Sequence, residues 1–150
     1  METTTAKVHG KDLAISKKHA IEICDSIRGR SVQRSKQLLQ DVMAQRVALP
    51  FHRFNRDMGH KPGHAGPGRY PYKASKTILE LLESLEANAQ NKGMDTKSLY
   101  IKTAITNKAP TPWHFGRIRR RKMKRAHVLI IAEEKQQKQL EKAQQVQTKK

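Results

Sequence analysis

Several things are scarce in this chain, and each absence narrows the reading. There is one cysteine, Cys24, so no internal disulfide can form, as expected of a protein in a reducing cytoplasm. No run of 18 or more apolar residues occurs, so no segment is expected to span a membrane. The first ten residues, METTTAKVHG, lack the apolar stretch of a secretory signal. Aromatic residues make up 5% and hydrophobic residues 36%, with a mean hydropathy of -0.80. A chain of 150 residues with that content is expected to form one domain around a small core. Acid is scarce as well: 13 Asp+Glu stand against 31 Lys+Arg, for a net charge of +18.

The missing acid is most conspicuous in residues 108–125, KAPTPWHFGRIRRRKMKR, which hold eight Lys or Arg and no Asp or Glu. Such a segment cannot build a core of its own, because its charges repel. A pI near 10.4 with clustered cations is the footprint of a nucleic-acid binder. Binding to anionic lipid fits less well, because the basic residues do not flank an apolar helical face. Two stretches rich in β-branched residues bracket the segment, 99–105 and 126–132. They read as a hairpin with a long basic tip. Leu99, Ile101, Thr103 and Ile105 fall on one face of the first strand. The second strand is apolar on both faces and therefore central. Residues 7–15, interrupted by Gly10, supply a third, edge strand.

Three helices are expected. Ser16 offers an N-cap hydroxyl to a helix over 17–28, with Ala20, Ile23, Cys24 and Ile27 on one face. Cys24 on that stripe reads as a core residue and not a nucleophile. After Gly29, Ser31 caps a second helix to about Ala44, striped by Leu38, Leu39 and Val42. The third, over 74–92, carries Ala74, Ile78, Leu81, Leu82, Leu85 and Ala89 at helical spacing and ends at Gly93. Residues 46–73 hold four of the six prolines and four of the eight glycines, so an irregular loop is expected there. Its cations and its aromatic residues Phe51, Phe54, Tyr70 and Tyr72 suit contact with bases and phosphates. Residues 135–150, rich in glutamine, form a polar tail that cannot bury itself.

Catalytic and cofactor readings find little support. His52, His60 and His64 match no zinc spacing. The glycines around His64 follow no strand and lack the Lys-Ser/Thr ending of a phosphate loop. No paired carboxylates or nucleophile with a base can be assembled, and His114 and His127 have no partner. No enzyme, metal or cofactor is expected. The alternative binding class is a helix-turn-helix DNA regulator, with Arg34 and Lys36 at the start of the would-be recognition helix.

Asp12-Leu13, Ile15-Ser16, Lys18-His19, Glu22-Ile23-Cys24 and Ile27-Arg28-Gly29 are exact runs that resemble the N-terminal signature of the universal large-subunit ribosomal protein twenty-two family (large-subunit protein seventeen in eukaryotes), in its archaeal and eukaryotic branch. Pro50-Phe51, Asn55-Arg56 and Gly59-His60-Lys61 resemble an insertion absent from bacterial members, and Gly68-Arg69-Tyr70-Pro71 with Lys73-Ala74-Ser75-Lys76 extends it. Leu81-Leu82-Glu83, Ala87-Asn88-Ala89, Lys92-Gly93 and Leu99-Tyr100-Ile101 follow. Pro112 and Phe115-Gly116-Arg117 resemble the family's hairpin tip.

The resemblance implies an α+β domain over 1–134, with helices on a three-stranded antiparallel sheet. It assigns 46–73 to the insertion and 106–125 to the hairpin extension. It implies a structural, cytoplasmic, non-catalytic role in the large ribosomal subunit, with rRNA, neighbouring ribosomal proteins and the nascent peptide as partners. No membrane or second copy is among them. The tip, Pro112, Trp113, His114, Phe115 and Gly116, would then line the peptide exit tunnel. RNA contacts are expected from Lys17, Lys18, His19, Arg28, Arg53, Arg56, His60, Lys61, Arg69, Lys73, Lys76 and Lys108. On the hairpin they are expected from Arg117, Arg119, Arg120, Arg121, Lys122, Lys124 and Arg125. Two departures stand out. The stretch from Tyr100 to Pro112 is about five residues short of the archaeal pattern, or roughly 15 Å of strand. Trp113-His114 stands where the family often has Arg-Ala.

Overall fold

Ala126, Val128, Ile130 and Ala132 alternate along one strand, and all four are fully buried. The residues between them are partly exposed. One face of the sheet therefore carries the core, and the strand sits centrally, as its composition predicts. A computed structural model describes residues 5–63 and 66–134. In chain order the elements are β1 (Thr5–Leu13), α1 (Lys17–Ile27), α2 (Val32–Met43), β2 (Leu49–Pro50), β3 (His60–Lys61), β4 (Gly66–Arg69), α3 (Tyr72–Asn91), β5 (Leu99–Lys108) and β6 (Ala126–Glu134). The main sheet is antiparallel in the order β1-β6-β5. This is the expected α+β arrangement of three helices on three strands.

The helices follow their apolar stripes. On α3, Ala74, Ile78, Leu82, Leu85 and Ala89 are buried, and Leu81 is partly so. Each large side chain on that stripe stabilises the fold by roughly 1.5–3 kcal/mol. The helix lies against β1, where Gly10 faces it. A Cβ there would sit 2.8 Å from Leu13 Cδ1 and 3.0 Å from Leu81 Cδ1, so glycine permits the close approach. On α1 the expected stripe of Ala20, Ile23, Cys24 and Ile27 is buried. Cys24 Sγ lies 3.1 Å from Thr106 Oγ1, and burial pushes the thiol up to about 11. It is an inert core group. Ser31 caps α2 through its hydroxyl, which accepts the Arg34 N–H at 3.4 Å. Ser16 occupies the N-cap of α1, but its side chain makes no capping bond, contrary to the sequence expectation.

Two further expectations are corrected. Leu99 and Ile101 of β5 point into the core, but Thr103 is only partly buried and Ile105 is 43% exposed. A bulge between Ile101 and Thr103 is the cause. One extra residue, Lys102, flips the alternation, so Ala104 turns inward in place of Thr103. Second, residues 46–73 are more regular than their prolines and glycines suggest. β2, β4 and β3 form a small antiparallel sheet in that order. Pairs as short as Leu49–Arg69 and His60–Pro67 suffice, because a two-residue ladder leaves prolines with few donors to supply.

Both edges of the main sheet are partly occupied. Lys92 Nζ donates to the Thr5 carbonyl at 2.7 Å and Asn88 Nδ2 to the Lys7 carbonyl at 3.1 Å. On the other side, the α1–α2 turn pairs with β5. Ile101 N–H donates to Arg30 O at 2.9 Å, and Gly29 N–H to Ile101 O at 2.8 Å. Arg28 adds a bond to the Ala104 carbonyl at 2.9 Å.

Candidate nucleic-acid interface

Beyond the Lys108–Ala126 pair the two arms continue without a core. Backbone pairing carries them outward. Ala109 N–H donates to Arg125 O at 3.3 Å, Met123 N–H to Pro112 O at 2.8 Å, and His114 N–H to Arg121 O at 2.8 Å. A bridge joins Trp113 to Lys122, and a single 3₁₀ turn at Gly116–Ile118 closes the end. Gly116 has φ +71, a conformation that other residues adopt at a cost of about 1–2 kcal/mol. Arg117, Arg119, Arg120 and Arg121 surround a recess of about 740 Å³. All four are exposed. Phe115 is 87% exposed and Trp113 57%, with Lys122 Nζ 4.5 Å from the Trp113 ring centroid. Exposed aromatics beside guanidinium groups that pair with no acid among the described residues can stack on bases while the arginines fork onto phosphates.

The base of the hairpin is fastened to the edge strand. A bulge between Gly10 and Leu13 interrupts β1, and Asp12 within it has φ 50. Asp12 N–H donates to His127 Nδ1 at 3.1 Å, and Arg125 Nη1 donates to the Asp12 carbonyl at 2.9 Å. Arg125 thus serves the hairpin's own geometry. Arg28 is similarly engaged, 3.0 Å from Asp25. Lys17, Lys76 and Lys108 are exposed.

The second basic surface is built differently. Phe51 is buried, and the edge of its ring meets His19 with centroids 5.6 Å apart. Glu22, 1% exposed, reaches the same place from α1. Its carboxylate accepts the backbone N–H groups of His52 at 3.1 Å, Arg53 at 3.0 Å and Phe54 at 2.9 Å. One buried acid therefore shapes the turn that displays Arg53 and Arg56, both exposed. Nothing in the local pattern singles out Glu22, because its partners lie some thirty residues away. Lys18 and Arg53 each lie 5.6 Å from the Phe54 ring, and Lys61 lies 5.7 Å from that of Tyr70. Aromatic residues of this segment thus hold its cations in place.

The two surfaces meet at His19. Burial, then Arg69, then Lys124 hold its imidazole below the ordinary range. Helix α1, strand β4 and the hairpin thereby bring His19, Arg69 and Lys124 into one positive field. His60 and Lys73 are exposed on the same 46–73 segment. Among the described residues no group of three or more His, Cys, Asp or Glu could hold a metal ion. Among them too, no helix is long and apolar enough to cross a membrane. His64 and the 135–150 tail lie outside the described residues.

Comparison with known proteins gives the same direction. Residues 8–133 match the model of the ribosomal protein L22p/L17e family. The large ribosomal subunit protein uL22 of Methanocaldococcus jannaschii is 41% identical over 137 positions, covering 87% of this chain and 88% of that protein. The protein of that name from Archaeoglobus fulgidus is 40% identical over 139 positions, covering 88% and 90%. That of Methanothrix thermoacetophila is 44% identical over 108 positions, covering 71% of each. With a match spanning both the sheet and the basic hairpin, the chain belongs to the ribosomal protein L22p/L17e family.

Proposed function

We propose that this protein is a structural, non-catalytic constituent of the large subunit of the cytoplasmic ribosome. It binds large-subunit rRNA, supports its folding during assembly, and sends its hairpin into the peptide exit tunnel. The observation that carries this reading is the acid-free arginine tip, held out from the sheet on a backbone ladder in a chain of this family. The exposed cations of the hairpin and of residues 46–73 neutralise phosphates. The exposed tip aromatics face the lumen and the nascent peptide. Recognition is of RNA shape, gathered from several helices, because the cations are spread over separate elements. With six to ten phosphate contacts, raising salt from 50 to 200 mM weakens binding by about 10³–10⁵-fold.

A helix-turn-helix regulator fits less well. The start of its second helix would have to be free to enter a major groove, whereas here the turn leading into α2 pairs with β5. Photocrosslinking from position 117 in assembled subunits tests the proposal. Crosslinks to tunnel-wall rRNA are expected; crosslinks confined to the subunit surface would overturn the tunnel placement.

A further inference from the structure

A cavity of about 660 Å³ lies where the returning arm of the hairpin passes the starts of α1 and α3. Its size falls within the roughly 300–1,000 Å³ of small-molecule pockets. Tyr70, Tyr72, Lys73, His114, Lys122 and Lys124 are among its walls, and no lining residue is acidic among the described residues. Two helices begin on it, at Ser16 and at Pro71, and neither has an acidic residue in its first turn. Their N-terminal dipoles add to the positive field of the lysines. Tyr72 is 59% exposed at the cavity, an unusual position for so large a ring.

We propose that this cavity takes one unstacked nucleotide of the rRNA, its phosphate among Lys73, Lys122 and Lys124 and its base against Tyr72. The proposal rests on the rRNA-binding reading above and deepens it. Two observations favour a nucleotide over a phosphate of a regular helix. The space is far larger than a phosphate needs, and an aromatic wall offers nothing to a helical backbone but stacks well on an extruded base. The position also matters. The cavity has walls from the body and from the hairpin, so one nucleotide seated there bridges both and fixes the angle between them.

The test uses large subunits assembled with full-length protein carrying p-benzoylphenylalanine at position 72 or, separately, at position 117. The expected result is a crosslink from position 72 to a single unpaired nucleotide, one that is chemically reactive in naked rRNA and protected in the subunit. A crosslink from 117 with none from 72, or crosslinks from 72 into a paired helix, overturns the cavity proposal alone. No rRNA crosslink from either position overturns the rRNA reading, and the cavity proposal with it. A second measurement uses the purified protein and protein-free large-subunit rRNA. Tyr72→Ala weakens binding roughly 5- to 150-fold with an unchanged salt slope, because stacking releases no counterions. Tyr72→Phe keeps near-native affinity, and Lys124→Gln lowers the slope by about one. Native affinity in Tyr72→Ala, or a loss in Tyr72→Phe as large as that in Tyr72→Ala, defeats the stacking role.

Discussion

The 46–73 segment and the 109–125 hairpin tip are both basic, both interrupted by proline, and both poor in core-forming residues, yet they are held by opposite means. The first is gripped from inside: Phe51 is buried and Glu22 ties down three consecutive backbone N–H groups. The second has its own ladder and a tie at its base from Arg125 to the Asp12 carbonyl, with Ala109 its sole buried residue among those described. The difference teaches that a polycationic segment can be shaped in two ways. One buried carboxylate can organise it before any partner arrives. Alternatively, the backbone can set its outline while its side chains wait for an external anion.

Breaking the outer region should have the largest effect, and on binding alone. Replacing Arg117, Arg119, Arg120 and Arg121 by Ser is expected to weaken rRNA binding about a thousandfold. This takes about 1 kcal/mol per solvent-exposed ionic contact, with tenfold for each 1.4 kcal/mol. The thermal midpoint of the free protein should stay where it is, because none of the four supports the core. A filter-binding series with matched melting curves checks both halves.

Breaking the inner region should do the reverse. Glu22→Ala leaves three backbone N–H groups without their shared carboxylate acceptor and is expected to cost about 3 kcal/mol in denaturant unfolding. Hydrogen exchange at His52, Arg53 and Phe54 should quicken while Met123 and His114 keep their protection. Equal loss of protection in both regions would erase the distinction between them.

A smaller effect is expected at the hairpin's end. Gly116→Ala places a side chain where φ is +71, with open space around it, so strain of about 1–2 kcal/mol stays local. It should blur NMR shifts of the tip without moving the global midpoint.

The smallest effect lies at the seam between the two regions. His19 in the folded protein has a pKa below its ordinary value of about 6.5, so the unfolded chain binds protons more tightly. Its stabilising contribution is complete above about pH 6.5 and is lost as pH falls through the depressed folded value. The free protein should melt slightly lower at pH 5 than at pH 7.5, and His19→Gln should lessen that drop. Added rRNA should raise the His19 pKa measured by NMR, because a phosphate beside it favours the imidazolium.

Much of the fold is readable from residue spacing. The α3 and α1 stripes are local patterns that burial follows directly, and the central place of β6 follows from its apolar run. The exposed tip arginines are equally plain, because a run without acid has nowhere internal to go. What stayed hidden depends on distant partners. Glu22 looks like any helix acid until residues 52–54 arrive beside it. The Lys102 bulge has no local marker, and it reverses which of Thr103 and Ala104 faces inward. The small β2-β4-β3 sheet is likewise invisible in a segment whose prolines and glycines argue for irregular chain. The meeting of His19 with Lys124 spans more than a hundred positions and follows only from the hairpin's return.

The partly occupied sheet edges have a consequence for the chain before it reaches its partner. An exposed strand edge is a template on which further copies can polymerise. Here Lys92 and Asn88 take up two carbonyls of β1, while Arg30 and Gly29 take up the start of β5. A newly made molecule, already repelled from its own kind by +18 charges, thus presents a shortened ladder to them. The few groups that trim the sheet thus also narrow the edge on which another copy could pair.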